Sequence, residues 1–359
     1  MNSRLTNKTE NGISSKTKIF AIAILAIIII SAFAYVISNQ RNFQRQHLIV
    51  STTTSLYETG LLDVLKTEFE KKYPSINVSF ISQGTGLAIQ TAMRGDADMI
   101  LVHDPVRELK FLEEGYGVNR KVIAYNFFII AGPDDDPANV EGLPPTETFV
   151  KIKESGEQNS VLWVSRGDDS GTNTKEKRIW KAAGLDAEDL NKENWYIEAG
   201  SGMTATLKLA NEKGAYTLVD LGSYLNNYVT GNIELEIIVD AGKDTLNVYS
   251  AIANNPRKNE VAGSNFEASM KFIDFLVSDD VQEIFSEFGK EKFGKPLFNP
   301  YVELLKSKSN PEMVQWIQEL AYFGGMECPR EYRYQANELY QIISALDFVK
   351  IGLVNLETQ

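Results

Sequence analysis

From His47 onward, short apolar runs alternate with amphipathic stretches. HLIVS and residues 77–82, 98–103 and 122–131 are continuous or alternating apolar runs, and they predict strands. Between them, LLDVLKTEFEKKY sets Leu61, Leu62, Leu65 and Phe69 on one helical face and stops at Pro74. GLAIQTAMRG and PVRELKFLEEG predict further helices, the second with Pro105 near its start and Gly115 just past its end. Strand–helix–strand order at these lengths predicts a parallel sheet with right-handed crossovers. The run GPDDDPANVEGLPP (132–145) breaks the pattern and reads as a surface loop near a domain crossing. A second set follows: VLWVS, KEKRIWKAAG, NWYIEAG, MTATLKLANEKG and AYTLVD, then ELEIIV and KDTLNVYSAIANNP. No fixed period relates the two sets, so they are two α/β units rather than a repeat. The remainder is helical in pattern: NFEASMKFIDFLVS, VQEIFSEFG, the turn FGKPLFNP, then MVQWIQELAYF and ANELYQIISALDFV.

The start of the chain is different. Residues 19–37 carry no charge, with Lys16 and Lys18 before them and Arg41 and Arg45 after. An apolar run of about 20 residues spans a bilayer as a helix. Ala32-Phe33-Ala34 also offers a cleavage site, so a cleaved signal and a retained anchor both fit, and the length favours the anchor. Residues 1–18 are then the cytoplasmic n-region and 19–38 the anchor or signal, with everything beyond about residue 40 outside the cytoplasm. No cysteine closes the run, so lipid attachment is not expected.

Composition narrows the chemistry. The 359 residues, 43% hydrophobic and 23% charged, suit a globular chain long enough for two domains. Cys328 is alone, so neither an intramolecular disulfide nor a cysteine cluster for zinc can form. His47 and His103 are the only histidines, which counts against zinc enzymes and serine–histidine catalysis. The formal net charge is −12; residues 1–46 contribute +5, leaving −17 on the rest. So acidic a body should not bind nucleic acid or anionic lipid by bulk attraction. An anion site would have to be built locally.

Three places can build one, each a strand end rich in Ser, Thr or Gly that leads into a helix: STTTS (51–55), QGTG (83–86) and SRGDDSGT (165–172). A helix start leaves backbone N–H groups unpaired and carries a partial positive charge, hydroxyls add neutral donors, and glycine lets backbone approach closely. Each stretch has a plainer reading. Thr52 to Thr54 can simply finish a strand, QGTG can be a turn, and Asn173-x-x-Glu176 resembles a capping box. Arg166 can fork onto an oxyanion, or pair with a neighbouring aspartate at the surface. Asp168 and Asp169 would repel a dianion, so their side chains should face backbone or solvent. Arg166-Gly167-Asp168 as an adhesion tripeptide has a high chance-match rate. Ser170 as a nucleophile lacks both a Gly-x-Ser-x-Gly setting and a base, and Gly84-x-Gly86 lacks the third glycine of a dinucleotide loop. Trp163, Trp180 and Trp195 fall at core spacing.

Taken in order, TTTS with GLL, QGTG, GDADMILVH, SRGDDSGTNTKE and GMTATLKLANEKGAYTLVD resemble the substrate-binding proteins of tungstate ABC uptake systems over roughly residues 47–300. The resemblance implies an α/β, two-lobed type II periplasmic-binding-protein fold with two hinge strands. Lobe 1 would hold 47–129 and 249–300, lobe 2 would hold 130–248, and a helical extension, 301–359, would pack on lobe 1. The hinge crossings would be 125–130 and 246–251. Thr53, Thr54, Ser55 and Thr85 would bind the oxyanion from lobe 1, and Arg166, Ser170 and Thr172 from lobe 2. The ligand would be tungstate, with molybdate, then sulfate or phosphate, as alternatives. No catalytic residue, metal or other cofactor is implied. The partner would be an ABC permease, and the chain would be a monomer on the outer face of the membrane. A phosphate site would favour a carboxylate acceptor, which Asp168 or Asp169 could supply.

Two departures stand out. Relatives tend to read Asp-Arg-Gly-Thr where this chain has Asp220-Leu221-Gly222-Ser223, and the tail beyond about residue 300 is long. Both features suit a second class of reading, a tethered sensor or interaction ectodomain. A serine hydrolase using Ser170 is a third.

Overall fold

The computed structural model describes residues 24–33, 46–240, 242–336 and 339–340. The chain forms two compact units, Met1–Arg45 and Gln46–Gln359. In the first, residues 24–33 are helical, with Ile24, Leu25 and Phe33 among its exposed apolar side chains. The ends of the predicted 19–38 span lie outside the described residues. Among the described residues no helix is long and apolar enough to cross a membrane.

In the second unit the strands are β1 (Gln46–Thr53), β2 (Ile76–Gln83), β3 (Met99–Val102), β4 (Gly117–Gly132) and β5 (Trp163–Ser165). They continue with β6 (Tyr196–Glu198), β7 (Thr217–Asp220), β8 (Glu236–Val239), β9 (Leu246–Asn254) and β10 (Asn299–Pro300). β1 pairs in parallel with β2 and β3, as the strand–helix–strand pattern predicts. The sheet as a whole is mixed, not parallel. β9 lies antiparallel between β3 and β4, and β10 is antiparallel to β4. The cause is topological: chain that leaves along β4 and returns along β9 must re-enter in the opposite direction.

β4 is the shared element. From Gly117 to Phe127 it pairs with β9, and from Phe128 to Gly132 with β7 and β8. One strand therefore carries two lobes. In the first lobe Leu48, Val50, Leu65 and Phe69 pack with Phe272, whose ring meets Phe69 edge-on at 4.9 Å. In the second, Phe149, Trp163, Trp180 and Trp195 form an aromatic core, with Phe149 and Trp180 4.3 Å apart.

That core corrects one expectation. Glu176 closes no capping box with Asn173; the helix Gly171–Ala182 is capped by Ser170, whose Oγ accepts from the Asn173 N–H at 3.2 Å. Glu176 instead points inward and accepts from Trp163, Trp180, Tyr196 and Ser165 at 2.7–3.1 Å. Four donors make a buried carboxyl tolerable, although burial still pushes its pKa up.

Helices Tyr301–Ser307 and Pro311–Ala321 share a cluster with Val122 of β4 and with Leu246 and Val248 of β9. Beyond them Glu327 is buried against β4, where it accepts from Lys121 Nζ at 2.7 Å and from the Val122 N–H at 2.6 Å. Arg120, fully buried, donates to Glu108 at 2.7 Å and to the Glu327 carbonyl at 2.8 Å. The last predicted helix, ANELYQIISALDFV, lies almost wholly outside the described residues.

Candidate functional site

The three candidate loops meet. β1 ends at Thr53, which caps the helix Thr54–Glu58 by accepting from the Leu56 N–H at 3.3 Å. Thr52 is occupied in the sheet, donating to the Leu101 carbonyl at 2.8 Å. Thr53 Oγ1 lies 3.4 Å from Ser55 Oγ, which lies 3.5 Å from His103 Nε2 at the end of β3. His103 Nδ1 is 2.8 Å from Asn247 Oδ1. Asn247 Nδ2 donates to Asn126 and reaches the Tyr249 hydroxyl, so its Oδ1 is the acceptor and His103 Nδ1 carries the hydrogen. Burial pulls the His103 pKa down to about 4, so the ring is neutral near pH 7.

β2 runs into Gly84, which opens the helix Thr85–Met93 with no side-chain cap. Thr85 is fully buried and its Oγ1 has no hydrogen-bond partner. Across from it, β5 ends at Ser165 and the next loop leads to the helix Gly171–Ala182. Gly167 at φ 60° and Asp169 at φ 56° make the bend. Thr172 Oγ1 is also buried without a partner.

Arg166 is 2% exposed. Its Nη2 donates to Asp168 at 2.5 Å and to Thr54 Oγ1 at 3.2 Å, while its Nε has no partner. The aspartate pair that was the alternative to ligand binding therefore exists, but inside the protein and shared with the opposite lobe. Asp168 also accepts from the Ser170 N–H at 3.3 Å. Asp169, largely exposed, pairs with Arg107 across the lobes. Both acids are thus paired with backbone or a cation, and the Asp169 carboxylate also lies against Gly86 of the facing loop.

The lobes touch closely here. A Cβ on Gly84 would sit 3.6 Å from the Asp168 carbonyl, and one on Gly171 would strike the His103 ring at 2.6 Å. Arg178 donates to Asp104 at 2.6 Å, and Thr204 to Glu58 at 3.1 Å. Thr53, Thr54, Ser55, Thr85, Ser170 and Thr172 lie at these apposed helix starts, and Arg166 on the loop just after β5.

Three buried neighbours of these loops were not among the sequence candidates: His103, Asn247 and Asp220. Asp220 is fully buried and caps the helix Leu221–Val229 through the Ser223 N–H at 3.0 Å. Burial raises its pKa, opposed by bonds from Ser223 and by the charge of Arg166, so it lies within electrostatic reach of that guanidinium. Asp220 had a legible signal, since Asp220-Leu221-Gly222-Ser223 repeats the strand–polar–glycine–helix order of the other loops. Leu221 packs partly buried against the hydrophobic core.

A model of the PBP superfamily domain matches residues 37–280. A provisionally named ABC transporter anion-binding protein of Haloferax volcanii is 43% identical over 286 residues, covering 78% of each chain. The tungstate-binding protein TupA of Peptoclostridium acidaminophilum is 39% identical and covers 70% of this chain and 85% of its own. The chain belongs to the periplasmic-binding-protein superfamily. The solved tungstate-binding protein TupA from Desulfovibrio alaskensis G20 superimposes with a TM-score of 0.60 at 36% identity, over 71% of this chain and 99% of the other. The chain has this binding-protein fold of type II, and the helical C-terminal part is present as expected.

Proposed function

We propose that the chain is an extracytoplasmic receptor that captures tungstate for an ABC permease by closing two lobes over it. The supporting observation is the set of buried polar atoms without partners on facing loops: Thr85 Oγ1 and Thr172 Oγ1 at helix starts, and Arg166 Nε just after β5. Each can donate, and a tetrahedral oxyanion supplies acceptors in several directions at once. Thr53, Thr54, Ser55 and Thr85 serve one side, and Arg166, Ser170 and Thr172 the other. The lobes are taken as 47–129 with 249–300 and as 130–248, hinged at 125–130 and 246–251, with 301–359 packed on lobe 1. About six charge-assisted bonds of roughly 1.5–3 kcal/mol each could support nanomolar affinity, near about −12 kcal/mol.

Catalysis is not part of this reading. Ser55, His103 and Asn247 stand in the order of nucleophile, base and orienting group, but a histidine whose pKa is about 4 is a weak base near pH 7. Ser170 is engaged in its helix cap. Nor does the site favour protonated phosphate through Asp168 or Asp169, since both are already paired. The chain acts as a monomer, held at the outer membrane face by residues 19–38 if they are retained. Calorimetric titration of the full chain with tungstate, molybdate, sulfate and phosphate tests the reading. Tight binding of tungstate is expected, with molybdate as its nearest competitor. Silence with all four anions would defeat it, and a clear preference for phosphate would reassign the ligand.

A further inference from the structure

A second cavity, of about 290 Å³, lies between the helix Gly171–Ala182, the turn Lys243–Thr245 and the helix Pro311–Ala321. It is separate from the strand-end loops and none of the roles above uses it. Ile179, Trp316 and Leu320 give it apolar walls. Two of its cations already have acids: Arg178 holds Asp104 at 2.6 Å, and Lys243 holds Glu319 at 2.5 Å.

Lys175 does not. Its ammonium donates to the Leu246 carbonyl at 3.2 Å, and among the described residues it has no ion pair. Asp244 acts on it only at longer range. An ammonium offers three donors, so two remain to be used. Burial and the nearby Arg178 charge pull its pKa down to about 8, the mark of a cation without enough compensation. An anion would supply that compensation, and the indole and leucine would shelter an apolar body beside it.

We propose that this cavity binds a small carboxylate with an aromatic or branched apolar body, its anionic end on Lys175 and its body against Trp316 and Leu320. Bound there, it would tie the helix that starts at the anion loop to the C-terminal helix Pro311–Ala321. The inference does not depend on the identity of the cleft ligand.

The test is calorimetric titration of the full chain in detergent solution with benzoate, with acetate as the comparison and tungstate run on the same sample. Benzoate should give saturable one-to-one heat, and acetate should bind much more weakly. Lys175→Met should weaken benzoate at least about 10-fold, the size of one charge-assisted bond, and Trp316→Ala should weaken it further. Lys175→Arg keeps the charge and should retain binding, which guards against a misfolded Met variant. Absence of saturable benzoate heat, equal binding of acetate, or unchanged binding in a folded Lys175→Met protein would overturn the proposal. Tungstate binding without benzoate binding defeats this inference alone; benzoate binding without tungstate binding defeats the cleft reading alone.

Discussion

Arg107 and Asp169 join the two lobes at the mouth of the cleft, although 62 residues separate them in sequence. The Arg107 Nη1 donates to the Asp169 carbonyl at 2.8 Å and its Nη2 reaches the carboxylate. The carboxylate is 73% exposed, so the ion pair should contribute only about 0.2–1 kcal/mol, and less in high salt. The carbonyl bond is independent of charge. Asp169→Asn, which also tolerates the left-handed backbone at φ 56°, should therefore weaken tungstate roughly two- to five-fold through a faster off-rate. The loss should shrink as salt rises. Stopped-flow dissociation at two ionic strengths measures it, and an unchanged off-rate would mean the pair plays no part in closure.

Arg166→Ala should abolish tungstate binding, by at least about 100-fold, because it removes a buried guanidinium that bonds both Thr54 and Asp168. Arg166→Lys should recover only part, since an ammonium cannot fork between Thr54, Asp168 and an anion. Calorimetry read beside a melting curve separates binding from folding. Wild-type affinity in either variant would reduce Arg166 to an internal ion pair with Asp168.

Thr85→Val and Thr172→Val should each move affinity and stability in opposite directions. Both hydroxyls are buried with no partner, so removing one relieves a desolvation cost of about 1–3 kcal/mol in the ligand-free protein. The same change removes a donor from the anion. Higher urea midpoints with weaker tungstate binding are expected. Lower stability with unchanged binding would show that the hydroxyls serve the fold.

Much of this was legible because the signals are local. Leu61, Leu65 and Phe69 repeat at helical spacing and do form one buried face. Ser170 and Thr172 follow a strand and start a helix, as their order in sequence says. What failed was long-range. Glu176 looked like a capping residue because the spacing from Asn173 fits, yet the Trp163, Trp180 and Tyr196 donors that bury it come from elements that only folding brings together. Arg107 and Arg178 fall inside predicted helical stretches with no sign of a role. Only folding brings Asp169 to Arg107 and Asp104 to Arg178.

The C-terminal extension is fastened by buried charge as well as by apolar contact. Lys121 and Glu327 are each about 97–98% buried, 2.7 Å apart, and Glu327 also accepts from the Val122 N–H. Glu327→Ala should cost about 3–5 kcal/mol, because it strands a buried ammonium and a backbone donor together. Glu327→Gln keeps an acceptor and should cost less. Urea unfolding gives both numbers. A loss below about 1 kcal/mol for the alanine variant would mean the extension is held by the Tyr301–Ile317 cluster alone.

Stability should also carry a histidine signature in acid. His103 has a folded pKa of about 4 against an ordinary 6.5, so between these values the unfolded chain binds a proton that the folded one refuses. The contribution is intact above about pH 6.5 and is lost as pH falls towards 4, by about 3 kcal/mol in all. Glu108, Glu176 and Asp220 act in the opposite sense: burial raises their pKa values, so their contribution is present in acid and fades as pH rises. Those three are common to wild type and His103→Gln. The difference between the two proteins therefore isolates the histidine: wild type should lose stability relative to the variant from pH 6.5 to 4, read as diverging urea midpoints. Parallel curves across that range would mean that His103 takes up its proton in the folded state, and the chain from Asn247 to Ser55 would then be charged where it meets the anion.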